Sequence, residues 1–249
     1  MRTTIGVDGI DALIEGGVPR GAAVLVSGET GTGKSILCLQ FILAGIREGE
    51  PGVYVTSDEP GRVFETAASL GWDLRAAVED GYARVVQALP PGATIDAPLP
   101  PAEATAGAPG AAAVAAMTNG ASGPAAATVA AVAEAVEELQ AERVVIDPPV
   151  APGTPASEAT PFVTDLVRGV LARTHCTTLV TGSRPHGSSG YTSLGVEEQL
   201  ADGVIDLGIV AHDGRRHRVL HIAEMHGTRT DLDDHPFAIT AGRGIVVGE

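Results

Sequence analysis

The octapeptide at residues 28–35 constrains this chain more than any other feature. It has the form Gly-x-x-x-x-Gly-Lys-Ser and lies between residues 22–26, an apolar run typical of a buried strand, and residues 36–44, which have helical character. Glycines let successive backbone amides turn inward where a Cβ would clash, and the helix start adds a positive pole. This order of elements predicts a polyphosphate-binding loop made of Gly28, Glu29, Thr30, Gly31, Thr32, Gly33, Lys34 and Ser35.

Two side chains at the end of this loop have specific expected roles. We expect Lys34 to reach the β- and γ-phosphates of a nucleotide and the Ser35 hydroxyl to ligate Mg²⁺. Lys34 is the single lysine in the chain, and the other 15 of its 16 basic residues are arginines. A chain that otherwise uses arginine has kept a compact ammonium here, which favours a phosphate contact.

Three carboxylates at strand ends are candidates for metal binding and catalysis. Asp147 ends the apolar strand at residues 143–147, where a carboxylate can hold Mg²⁺ beside a phosphate loop; a turn or cap role is the alternative. Asp58 and Glu59 follow the strand after the loop's helix, where a carboxylate could orient and deprotonate an attacking water. The alternative for both is a favourable charge at the start of the next helix.

Polar residues after a later strand could sense the nucleotide. Thr181, Ser183 and Arg184 could contact the γ-phosphate, although an ordinary solvated loop position is the alternative for Arg184. Five histidines lie further along, and because their spacing does not suit a metal site we expect surface positions for His212, His217, His221, His226 and His235.

Composition narrows the class of partner. The net charge of −15 disfavours non-specific binding to DNA. An acidic surface with almost no lysine suits a salt-rich cytoplasm, which motivates the hypothesis of a halophilic source; good folding in dilute buffer but poor folding in molar KCl would contradict it. Cys38 and Cys176 lie in apolar segments and are expected to be buried thiols. Without a signal-peptide pattern or a membrane-spanning apolar run, a cytoplasmic protein with no membrane partner is expected.

Alternating strand and helix patterns predict one α/β domain over residues 1–249. Strands are predicted at residues 22–26, 52–57, 82–88, 143–147 and 177–181, and helices at residues 36–44, 61–70, 125–141 and from a start at Thr160-Pro161. Strand-like alternation then continues at residues 203–210, 216–224 and 237–247. The prediction is a mainly parallel central sheet with helices on both faces, extended by C-terminal antiparallel strands.

Residues 90–128 differ from the rest of the chain. They are rich in proline, alanine, glycine, serine and threonine, carry almost no charge, and show no periodic apolar face. We interpret them as a flexible low-complexity insertion, with a weak alanine helix at residues 111–117 as the alternative.

Together these motifs resemble the KaiC-like branch of the RecA-type P-loop ATPases over nearly the whole chain. The phosphate loop is one carrier of the resemblance, and the others are the segments at residues 16–19, 52–60, 70–74, 143–147, 195–204, 226–228 and 236–245. The resemblance implies a RecA core that binds ATP and Mg²⁺, often at the subunit interfaces of hexameric rings. It matches Asp147 to the metal-binding aspartate, Asp58 and Glu59 to a water-activating acidic pair, and residues 181–184 to a nucleotide sensor.

The chain departs from this family pattern at the basic finger, a lysine and an arginine that active relatives carry. Residues Glu224-Met225-His226-Gly227 stand where active relatives carry Lys-x-Arg-Gly, a basic pair that reaches the γ-phosphate of a neighbouring subunit. Where such a finger exists it stabilises the transition state by several kcal/mol. The sequence therefore predicts an ATP-binding regulatory or signalling switch with slow or conditional hydrolysis. The alternatives are a RecA-paralogue DNA-recombination accessory ATPase and a non-hydrolysing ATP-bound scaffold.

Overall fold

The structure, a computed structural model, describes residues 1–89, 91, 123–212 and 214–248. Its strands are β1 (Arg2–Thr3), β2 (Val18–Pro19), β3 (Ala23–Gly28), β4 (Gly52–Thr56), β5 (Ala83–Gln87), β6 (Arg143–Ile146), β7 (Thr177–Ser183), β8 (Gly203–His212), β9 (Arg215–Met225), β10 (His235–Thr240) and β11 (Gly244–Val247). Its helices are α1 (Asp8–Leu13), α2 (Lys34–Glu48), α3 (Pro60–Ser69), α4 (Leu74–Glu79), α5 (Pro124–Leu139), α6 (Ala156–Thr174) and α7 (Val196–Leu200).

One sheet of nine strands organises these elements, in the order β11-β10-β9-β8-β3-β7-β6-β4-β5. The six strands from β8 to β5 pair in parallel, so their carboxyl ends meet at one edge. Every residue of β3, β4 and β6 is buried, as expected for parallel strands covered by helices on both faces. The predicted α/β architecture is confirmed, and this edge carries the candidate site.

The C-terminal strands extend the sheet in antiparallel fashion, as predicted. The alternation predicted at residues 237–247 corresponds to two strands, because the chain turns at residues 241–243 and forms the hairpin of β10 and β11. Gly242 and Gly244 have φ of +77° and +74°, a conformation that glycine adopts without strain. Gln40 on α2 then fixes the hairpin, since its side chain accepts from Ile245 N at 2.7 Å and donates to Arg243 O at 3.1 Å.

Two apolar cores lie on the two faces of the sheet. One packs α2 and α3 against β3 and the C-terminal strands, and the other packs α5 and α6 against β4 and β6. Both cysteines, Cys38 and Cys176, are buried free thiols, as predicted. None of the helices in the described ranges combines the length and apolarity that crossing a bilayer requires.

Arg143 joins β6 to the base of α2. Its side chain is fully buried, yet every nitrogen is used: Nε and Nη2 donate to the carboxylates of Glu50 and Glu48, and Nη1 donates to Thr4 O and Phe41 O. The guanidinium also lies 4.8 Å from the centre of the Phe41 ring. A buried charge is tolerated when it is paired and hydrogen-bonded in this way.

One predicted helix start is wrong. The helix expected to start at Thr160-Pro161 begins at Ala156, and Pro161 lies inside it. The fully buried Ala159 continues the apolar stripe toward the N-terminus, so packing outweighs the one backbone bond that proline cannot make. The insertion predicted at residues 90–128 ends earlier than expected, because α5 already begins at Pro124. Residues 90 and 92–122 lie outside the described residues, and so does the alternative helix at residues 111–117.

Candidate nucleotide-binding site

The phosphate loop joins β3 to α2 with its backbone already curved. Gly31 and Gly33 have φ of +83° and +118°, and both conformations favour glycine. A Cβ on Gly28 would lie 2.5 Å from Leu207 O, so the next strand also demands a glycine there. Thr32 is fully buried and donates its hydroxyl to Glu29 O at 2.9 Å, which braces the loop from inside.

Lys34 folds its ammonium back into this loop. Nζ donates to Gly28 O at 2.7 Å and to Glu29 O at 3.0 Å. Burial lowers the pKa of the Lys34 ammonium from 10.5, and the negative charge of Asp147 partly opposes that change. The Glu29 carboxylate contacts His186, with 3.0 Å between its Oε1 and Nδ1 of the imidazole. The ammonium is therefore a concentrated positive charge where the sequence predicts phosphates.

Asp147 lies just after β6 and is held by both neighbouring strands. Its backbone amide donates to Val55 O at 2.8 Å. Its Oδ1 accepts the Thr181 hydroxyl at 2.7 Å, and its Oδ2 accepts the Tyr54 hydroxyl at 2.5 Å. Burial and the Asp147 charge raise the pKa of Tyr54 well above 10.0, so the tyrosine hydroxyl remains the donor. Only 5% of Asp147 is exposed, and the carboxylate therefore has a defined orientation.

The oxygen chemistry at this edge fits Mg²⁺. The Ser35 side chain is exposed at the first turn of α2, and each Asp147 oxygen keeps a lone pair beyond the one hydroxyl it accepts. Hydroxyl and carboxylate oxygens are the ligands that this ion prefers. Within the described ranges there is no cluster of three or more His, Cys, Asp or Glu suited to a metal. Mg²⁺ here would consequently be held together with phosphate oxygens and water rather than in a protein cage.

The acidic pair lies at the end of β4, beside the Asp147 strand. Ser57 N donates to Pro148 O at 3.0 Å, which ties the two strand ends together just before Asp58 and Glu59. Glu59 is exposed and takes the N-cap position of α3 without a side-chain cap bond, while Asp58 is half-buried. Among the described residues neither carboxylate accepts a hydrogen bond, so both are available to a water molecule. Their catalytic role stays a prediction.

Arg184 meets a partner that the sequence analysis missed. Its backbone amide donates to Gly28 O at 3.1 Å, which places the residue beside the phosphate loop, and its role toward the γ-phosphate stays a prediction. Its guanidinium, however, pairs with Asp206 on β8, with 2.6 Å between Nη1 and Oδ2. Asp206 is 8% exposed, and its Oδ1 is buried without a partner in the described part of the chain. A carboxylate inside an otherwise apolar strand was the available signal for such a pairing.

Arg218 is a second residue of the site that sequence analysis did not identify. Its Nη2 donates to Gly31 O at 3.3 Å, so β9 brings a positive charge against the phosphate loop. Its Nε is buried and has no hydrogen-bond partner among the described residues. Arg218 is one of three arginines at residues 215–218, and only the folded structure shows that it is the one that contacts the loop.

The segment that replaces the basic finger lies far from this loop. In the sheet Gly28 lies beside Leu207, which is paired with Leu220 on β9. Glu224 lies four residues further along β9, about 13 Å at the usual rise of a strand. The chain runs there toward the opposite edge of the sheet, so neither Glu224 nor His226 can reach the phosphate loop of its own subunit.

Comparison with known proteins finds relatives along the whole chain. A family model described as "ATPase: KaiC" matches residues 3–249. The UPF0273 protein of Pyrococcus furiosus is 33% identical over 99% of this chain and 93% of its own length. The circadian clock oscillator protein KaiC of Synechococcus elongatus is 32% identical, over 96% of this chain but 42% of that protein. A crystal structure of a KaiC-like protein from Pyrococcus horikoshii, 28% identical, matches with a TM-score of 0.79 and covers 100% of this chain and 99% of that one.

Proposed function

This chain belongs to the KaiC family of ATPases, and we propose that it binds ATP with Mg²⁺, hydrolyses it slowly or conditionally, and acts as a nucleotide-dependent regulatory switch. One observation carries the proposal. The ammonium of Lys34 donates to the carbonyls of Gly28 and Glu29 inside the glycine loop, and the oriented carboxylate of Asp147 acts electrostatically on it from the end of β6. This arrangement supplies positive charge for a triphosphate and a carboxylate that can hold its metal through water.

Each residue of the site has a definite task in such a reaction. The metal, when bound with nucleotide, would neutralise charge on the β- and γ-phosphates. Lys34 and the loop amides bind the phosphates, and Arg218 adds a positive charge beside Gly31. Glu59, with Asp58, would orient the attacking water and accept its proton.

The proposed slowness follows from what this subunit does not bring to the reaction. Phosphoryl transfer is accelerated mainly by positive groups that stabilise charge in the transition state. Glu224 and His226 stand at the finger positions and lie toward the opposite edge of the sheet from the phosphate loop. Even in a homo-oligomer such as a hexamer, a neighbour would therefore present a carboxylate and an imidazole instead of two cations.

The decisive experiment measures binding and turnover on one sample. ATP affinity is titrated with and without Mg²⁺ at high salt, phosphate release is followed, and light scattering gives the oligomeric state with and without ATP. Tight Mg²⁺-dependent binding with slow release supports the proposal, and absence of ATP binding refutes it. Binding without hydrolysis, even in a single turnover with radiolabelled ATP, would instead identify a nucleotide-bound scaffold.

A further inference from the structure

We propose that Tyr54 is a positioning residue for magnesium, because its hydroxyl fixes the orientation of the Asp147 carboxylate. The inference rests on the proposed nucleotide function and deepens it. Tyr54 lies on β4, is 2% exposed, and donates its hydroxyl to Asp147 Oδ2 at 2.5 Å. The two residues are 93 positions apart in sequence, so only the fold brings them together.

The carboxylate is held from both sides of its strand. Thr181 on β7 donates to Oδ1, and Tyr54 on β4 donates to Oδ2, while Asp147 itself follows β6 between those strands. Each carboxylate oxygen can accept two hydrogen bonds, so one lone pair on each remains for a metal-bound water. Rotation of the carboxylate about its Cβ–Cγ bond would break both hydroxyl contacts. Two donors therefore define the directions in which the remaining lone pairs point.

Magnesium makes that direction matter. The ion demands near-ideal octahedral geometry and keeps several of its waters, so an aspartate that acts through water must point correctly. Groups that orient a metal ligand without touching the metal typically change metal affinity about 10- to 100-fold when removed. Tyr54 is such a group toward Asp147, and the same holds for Thr181 on the other oxygen.

The neighbouring backbone allows the hydroxyl to be tested by itself. Asp147 N donates to Val55 O, and Ser57 N donates to Pro148 O, so β4 and β6 stay joined without the tyrosine oxygen. The Tyr54 ring packs in the apolar core on the α2 face of the sheet, and phenylalanine keeps that ring. Tyr54→Phe thus removes one donor and leaves the packing in place.

The test is a titration of Tyr54→Phe with a non-hydrolysable, mant-labelled ATP analogue. In EDTA its affinity should lie within about twofold of the wild type, because the phosphate loop is unchanged. The free Mg²⁺ concentration that gives half of the metal-induced tightening should rise about 10-fold. Tyr82→Phe, which alters a 46% exposed tyrosine on the surface, is the matched control and should behave as wild type.

A double variant separates positioning from general damage. If Tyr54 acts through Asp147, adding Tyr54→Phe to Asp147→Asn should not change the magnesium dependence further. Wild-type magnesium dependence in Tyr54→Phe would overturn the inference while leaving the proposed function intact, and so would an equal loss of affinity with and without Mg²⁺. A wild-type protein that binds no nucleotide overturns both.

A measurement on the wild type does not depend on how any Tyr54 variant folds. The chain has three tyrosines, so 3-fluorotyrosine labelling gives three ¹⁹F signals, and the Tyr82→Phe and Tyr191→Phe variants identify that of Tyr54 by elimination. Adding Mg²⁺ to the protein with its bound ATP analogue should shift the Tyr54 signal and leave that of Tyr82 in place. If the chemical shift of the Tyr54 signal does not change when Mg²⁺ is added, the inference is contradicted.

Discussion

Arg184 Nη1 lies 2.6 Å from Asp206 Oδ2, and this ion pair joins the end of β7 to β8 beside the phosphate loop. The carboxylate adds a negative charge close to where a triphosphate would bind, and it acts electrostatically on Lys34. Replacing Asp206 with asparagine keeps an acceptor for Arg184 but removes that charge.

We therefore predict that Asp206→Asn and Arg184→Ala change nucleotide affinity in opposite directions. Asp206→Asn should tighten ATP binding about three- to tenfold, as expected when one partly screened charge near a phosphate is removed. Arg184→Ala should weaken binding of ATP more than binding of ADP if its guanidinium turns to the γ-phosphate. Calorimetric titration of both nucleotides gives the two ratios, and a change of the same sign in both variants would contradict the prediction.

Lys34 offers a chemical test because it is the single lysine of the chain. An amine-reactive reagent then has one lysine target, apart from the N-terminal amine as an internal reference. Burial lowers the Lys34 pKa, so the neutral, reactive amine becomes available below the pH at which an ordinary lysine reacts. ATP affinity, which needs the charged form, should fall over the same alkaline range.

Labelling as a function of pH, read by mass spectrometry, measures both effects. ATP with Mg²⁺ should protect Lys34 about 10-fold or more while the N-terminus reacts unchanged, since a bound phosphate both covers the ammonium and favours its charged form. The Lys34→Arg variant shows the background. Equal labelling with and without nucleotide would argue against a phosphate contact.

Glu59 is predicted to act in the chemical step rather than in binding. Glu59→Gln keeps the size of the side chain but removes the base, so turnover should fall about 100-fold while ATP affinity stays within twofold. Glu65→Gln is the control, because Glu65 is an exposed residue of α3, the helix for which Glu59 is the N-cap. If Asp58→Asn produces the larger loss instead, the roles within the pair are reversed.

Local pattern predicts the elements of this fold well where it is strong. The glycine loop, the apolar strands and the acidic strand ends could be located from sequence. In these segments the backbone conformation and the burial depend on the types of neighbouring residues along the chain. The start of α6 could not be located in this way, since the local signal of Pro161 competes with the burial of Ala159, a tertiary effect. The hairpin of β10 and β11 likewise depends on the positive φ angles of Gly242 and Gly244, and a pattern of alternating apolar residues does not reveal such a turn.

Two residues of the site that sequence analysis did not identify, Tyr54 and Arg218, have partners that are distant in sequence. Tyr54 is 93 positions from Asp147, and Arg218 is 187 positions from Gly31. A buried tyrosine in a parallel strand must find an acceptor for its hydroxyl, so its presence was a signal. Only the strand order, which places β4 and β7 on either side of β6, shows which acceptor that is.

Among the charged residues, we predict that replacing Arg143 lowers the free energy of unfolding most. Arg143→Ala would leave the carboxylates of Glu48 and Glu50 and two backbone carbonyls without their donor, and breaking a buried pair typically costs about 3–5 kcal/mol. Arg84→Ala, which breaks the exposed pair with Glu138, should cost less than about 1 kcal/mol. Urea unfolding of both variants gives the comparison, and similar losses would refute it.

The finger positions allow a gain of function. Because Glu224 and His226 cannot reach the phosphate loop of their own subunit, the pair of changes Glu224→Lys and His226→Arg can act only on a neighbour. We predict that this double variant hydrolyses ATP at least about 10-fold faster than wild type, within the range that added cationic groups give in phosphoryl transfer. The gain should grow with protein concentration and vanish on dilution below the assembly range. The control is Glu224→Gln with His226→Gln, which removes the negative charge without adding cations and should hydrolyse ATP slowly. If this control is accelerated equally, the rate rises because the negative charge near the phosphates is lost, and not because a basic finger is restored.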